Sequence, residues 1–166
     1  DIQVWPKPQS HGLWYVGPTQ YDKIKSQSVL ARGSDLGMFY GVESSGDLTA
    51  APSNFRLLLH TDLKLDEVTR LGYELYKLDY ITTSNVVGAE GEVEVDVNLW
   101  SAKTEIKMTL EELGSTGYYL IVPAEGEQFE AGTYAFHTSD ILTPKSSEEF
   151  LNLHEDIRLA YAFEIE

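Results

Sequence analysis

Cysteine is absent from the 166 residues. That excludes a disulfide framework, a thiolate nucleophile and any Cys-ligated zinc or iron–sulfur centre. Basic side chains are scarce, with 12 Lys+Arg against 27 Asp+Glu and a formal net charge of −15. Phosphate backbones are held by clustered Lys and Arg, so nucleic acid is excluded as the main partner. No apolar run approaches the ~18–20 residues of a membrane span. Gly114-Ser115-Thr116-Gly117 has neither the lysine of a P-loop nor the spacing of a dinucleotide fingerprint, and no Gly-x-Ser-x-Gly elbow occurs. Internal repeats and low-complexity stretches are lacking as well.

No Asn-x-Ser/Thr acceptor occurs around Asn54, Asn85, Asn98 or Asn152, so nothing points to N-glycosylated secretion. The chain opens at Asp1 rather than Met, as a processed or trimmed chain does, and the sequence is silent on a signal peptide or lipid anchor before it. A Cys-free, acidic, Tyr-rich chain suits a bacterial envelope or surface, which is the expected location, with the cytoplasm as the alternative.

What is present is patterned. Residues 1–83 carry 8 basic and 10 acidic side chains, whereas residues 84–166 carry 4 and 17. The acids are dispersed through ordered-looking segments, so they read as a solvated face and not as a disordered tail. In Glu92–Leu99, Val93, Val95, Val97 and Leu99 alternate with Glu92, Glu94, Asp96 and Asn98, the period of a half-buried strand. Ile106, Met108 and Leu110 continue the pattern. Tyr118–Val122 is apolar on both faces, as a central strand is. Gly132–His137 and Leu159–Ile165 complete five strands in the second half. Leu13–Val16, Met38–Val42 and Phe55–Leu59 are strand candidates in the first half, with loops at Ser44–Asp47 and Ala50–Asn54. Val68, Leu71, Leu75 and Leu78 recur at helical spacing, so 66–78 is expected to be helical, although Gly72 and two tyrosines argue for a strand. Ser146 and Glu149 form a Ser-x-x-Glu capping box ahead of a short second helix.

The expected fold is therefore mainly β, an antiparallel two-sheet β-sandwich with one or two short helices and a β-barrel as the alternative. Residues 1–12, with Trp5-Pro6-Lys7-Pro8, read as an extended arm, and 13–166 as one sandwich domain. Phe129–Phe136 is similar to the penultimate strands of many bacterial β-sandwich modules, which implies fold and no site.

Candidate chemistry is sparse. Glu92, Glu94 and Asp96 are the candidate metal ligands, Ca²⁺ being the ion that such a column of carboxylates attracts. One strand cannot supply the six to eight converging oxygens that Ca²⁺ takes, so a charged solvent face is favoured and no cofactor is called for. His11, His60, His137 and His154 are scattered, each with a carboxylate nearby in sequence. Trp5, Trp14 and Tyr15 are the candidate ligand-binding residues, since exposed aromatics stack on sugars. Core packing is the commoner use of such rings. The functional expectation is a non-catalytic envelope or surface module with a protein-binding, glycan-binding or structural role. A carbohydrate-active enzyme using a carboxylate pair and a Ca²⁺-binding domain are the alternatives.

Overall fold

The computed structural model describes residues 6–34, 36–44, 46–114 and 117–166. Thirteen strands and two short helices are present among them. The strands are β1 (Gly12–Val16), β2 (Tyr21–Ile24), β3 (Ser26–Ser28), β4 (Leu30–Ser34), β5 (Gly37–Gly41), β6 (Thr49–Ala51), β7 (Leu57–His60), β8 (Tyr73–Gly88), β9 (Gly91–Ile106), β10 (Met108–Glu112), β11 (Tyr118–Pro123), β12 (Gly132–Thr138) and β13 (Leu159–Ile165). The helices are α1 (Leu65–Arg70) and α2 (Ser147–Leu151), and a 3₁₀ turn covers Ser139–Leu142.

Two sheets form the sandwich. The first runs β10-β11-β7-β1-β2, and the second runs β3-β13-β12-β8-β9, with β6 pairing parallel to β13. The chain passes from one sheet to the other at Lys25, between β2 and β3, and at Lys107, between β9 and β10. The ladders nevertheless remain separate, so the sandwich and not the barrel is the architecture.

Alternation decides the layers. Leu13, Leu57, Leu59, Tyr119 and Ile121 of the first sheet face Leu75, Tyr134, Phe136, Phe163 and Ile165 of the second, and Val68 of α1 joins this core. Each buried aromatic removes ~150–250 Å² from water, so the rings dominate its stabilisation. The opposite face of the second sheet, with Tyr76, Leu78, Ala135, Ala160 and Ala162, is covered by Tyr40, Val42, Ile141 and Phe150. The β4–β5 hairpin, the 3₁₀ turn and α2 thus make a third layer. The outer face of the first sheet carries a smaller cluster of Trp14, Val16, Leu58, Leu113 and Leu120.

The structure corrects the reading of 66–78 as one helix. Helix α1 ends at Arg70, Gly72 takes a left-handed φ of 71° and donates its N–H to the Thr69 carbonyl at 3.1 Å, and β8 begins at Tyr73. Gly72 is a helix stop, and Leu75 and Leu78 fall on opposite faces of a strand, one in each core. Ala50 and Ala51, read as loop, lie in β6. The Ser146 box is present in part: the Ser146 hydroxyl accepts from Glu149 N–H at 3.1 Å, while the Glu149 carboxylate accepts from Lys145 N–H.

Strands β8 and β9 are 16 residues each and form one long ribbon. Its register shifts between Lys77 and Leu78 and between Ile81 and Thr83, and Asn98 at the second shift has φ 51°. Such shifts twist and redirect a ribbon. Its outer half, residues 81–88 and 91–98, runs beyond the neighbouring strand β12, which pairs with β8 only from Tyr73 to Lys77.

Candidate functional site

The outer ribbon has two unlike faces. Val86 pairs with Val93 and Ser84 with Val95, and this face turns toward the β4–β5 hairpin, where Val86 packs against Gly37. The hairpin is tied down by Arg32, whose guanidinium donates to the Val97 carbonyl at 2.7 Å and pairs with Glu43 at 2.9 Å. The other face consists of the cross-strand pairs Val87–Glu92, Asn85–Glu94 and Thr83–Asp96. All six residues are exposed. Val87 is 69% exposed, and Leu36 and Val93 on the far side of the ribbon are 52% and 51% exposed.

The structure places Glu92, Glu94 and Asp96 in one solvated column whose cross-strand partners are Val87, Asn85 and Thr83, none of them acidic. Among the described residues no three His, Asp or Glu side chains converge as a metal-binding group. Trp14 and Tyr15 lie on opposite faces of β1. Trp14 is buried in the outer cluster beneath the Lys23 ammonium, 5.7 Å from its ring, and Tyr15 packs against the inter-sheet core. They form no common platform. Trp5 lies outside the described residues.

Titratable groups gather in two further places that one-dimensional reading missed. On the outer face of the second sheet, His137 and Glu74 are a cross-strand pair, as are Tyr76 and Glu105. The His137 ring stacks on Tyr76 with centroids 4.5 Å apart, and its Nδ1 donates to the Thr138 carbonyl at 2.8 Å. Burial pulls the His137 imidazole down to about 4, so it is neutral at pH 7. Burial and then the Glu105 charge hold the Glu74 carboxyl above its ordinary value, and burial and these two acids push Tyr76 up to about 12. No sequence spacing links these positions; only strand register does.

The second gathering closes one end of the sandwich. His11, His60, Thr61, Tyr73 and Tyr161 line a small cleft of about 80 Å³. At the opposite end, Lys77, Asp79, Lys103, Glu127 and Glu130 line a wider cleft of about 350 Å³. There Lys77 pairs with Glu130 at 2.7 Å and Lys103 with Asp79 at 3.9 Å, so both lysines are paired, and the third acid, Glu127, accepts from the Lys107 N–H. Glu74 and Glu105 line neither cleft.

No family model, no curated protein and no solved structure matches this chain. No helix among the described residues is long and apolar enough to cross a membrane.

Proposed function

We propose that this chain is a non-catalytic binding module of a bacterial envelope or surface, and that the outer β8–β9 ribbon docks a protein partner of basic character. One observation carries the reading: the six exposed residues Thr83, Asn85, Val87, Glu92, Glu94 and Asp96 form a continuous ribbon face with an apolar side chain beside three carboxylates. Acidic clusters steer basic partners by long-range attraction, and an apolar contact then slows dissociation. Protein docking is favoured over glycan docking because Trp14 is buried and Tyr15 faces the core. The test is an NMR titration with two decapeptides, one of Lys and Leu and one of Glu and Leu. The Lys–Leu peptide is expected to shift residues 83–96 with an affinity that falls steeply with salt. Equal response to both peptides, or shifts elsewhere, overturns the reading.

A carbohydrate-active enzyme is the second reading, for which the neighbouring carboxylates Glu74 and Glu105 on the outer face of the second sheet are the candidate pair. It requires hydrolysis of an aryl glycoside that Glu74→Gln or Glu105→Gln abolishes.

A further inference from the structure

The cleft at the His11 end of the sandwich carries an inference independent of the ribbon. Pairing of β1 with β7 sets Gly12 opposite His60, which brings His11 beside the His60 ring. Gly12 adopts φ 153°, where a side chain is strained, and a Cβ there would press on the Trp14 ring. The two imidazoles meet edge to face with centroids 4.8 Å apart. His60 is held rigidly: its other face stacks on Tyr118 at 4.0 Å, and its Nδ1 lies 3.0 Å from the Gly117 carbonyl oxygen. A carbonyl only accepts, so Nδ1 donates to it and Nε2 is the ring nitrogen left for a metal. This is the arrangement that metal-bound histidines use, with one ring nitrogen hydrogen-bonded to a fixed oxygen and the other free to coordinate.

The surrounding groups fit the same purpose. Tyr73 and Tyr161 line the cleft, and neither phenol hydrogen-bonds to a described residue. A volume of about 80 Å³ holds an ion with one or two waters, since water occupies ~30 Å³.

We propose that His11 and His60 form a two-histidine site for a late first-row divalent cation, Cu²⁺, Ni²⁺ or Zn²⁺, with water and the Tyr73 or Tyr161 hydroxyl completing the coordination. Imidazole selects these ions over Ca²⁺ and Mg²⁺, which take oxygen ligands.

The test is calorimetric titration of the whole chain with Cu²⁺, Ni²⁺, Zn²⁺ and Ca²⁺ at pH 7.5, with the Cu²⁺ form also measured by electron paramagnetic resonance. One equivalent of the first three ions is expected to bind, with Ca²⁺ inert at this site and a Cu²⁺ signal split by two imidazole nitrogens. His60→Ala is expected to weaken binding by at least about tenfold. His11→Ala, at an exposed position, does the same without disturbing the fold, and thermal melts verify that. His154→Ala, at an exposed histidine elsewhere, leaves binding unchanged. Stoichiometric binding that survives the His11→Ala/His60→Ala double variant overturns the proposal, as does the absence of any bound equivalent.

Discussion

The inner and outer halves of the β8–β9 ribbon share one backbone pairing and one alternating pattern, yet their side chains meet opposite fates. Leu99 of the inner half is wholly buried, whereas Val93, in the outer half of the same strand, is 51% exposed. In the inner half, Leu75 and Ile106 enter the inter-sheet core, and Tyr76 and Leu78 enter the third layer. The outer half has only the β4–β5 hairpin on one face and nothing described on the other. Amphipathic alternation therefore specifies a strand with two unlike faces, and what covers each face is decided by the layers around it. The inner half holds the fold together. In the outer half only Val86 and Val97 are buried, and its carboxylates and Val87 stay exposed.

Substitution separates the two halves most sharply. Phe136→Ala, between the sheets, is expected to cost about 3–5 kcal/mol, while Val93→Ala stays within about 0.5 kcal/mol, both read from urea unfolding. Equal losses would dissolve the distinction.

The third layer is expected to fail next, on acidification. His137 sits at about 4 in the folded chain against ~6.5 unfolded. Between those values the unfolded chain binds the extra proton, so stability is complete above about pH 6.5 and falls as the pH drops toward 4. The total loss is about 3 kcal/mol. Urea unfolding at pH 7.5 and 4.5 measures it, and His137→Phe, which keeps a ring against Tyr76, is expected to remove this component of the slope.

A smaller effect lies at α2. Ser146→Ala removes the hydroxyl that accepts from Glu149 N–H, for a loss of about 1 kcal/mol in thermal or urea unfolding.

Much of the fold was legible in the sequence because its strands bury alternate residues. Tyr118–Val122, apolar on both faces, is indeed flanked by β10 and β7, and Leu159–Ile165 is β13. Short polar strands such as Tyr21–Ile24 and Ser26–Ser28 left no periodic signal, since three or four residues give too few alternations to distinguish from a loop. The run at 66–78 misled because its apolar residues satisfy helical spacing, while Gly72 and the β-forming tyrosines after it decide the outcome. The site was less accessible. Glu92, Glu94 and Asp96 were visible as a column, but the exposed face they share with Val87, Asn85 and Thr83 exists only through the pairing with β8. His11 and His60 meet through the β1–β7 register, which no local motif encodes.

The most direct measurement compares the parent chain with Glu92→Gln/Glu94→Gln/Asp96→Asn in parallel thermal melts and Lys–Leu peptide titrations. If the outer ribbon serves a partner and not the fold, the melting temperature stays the same or rises slightly as like charges are removed, and peptide binding is lost. A variant that melts well below the parent, or that binds the peptide as the parent does, contradicts the account.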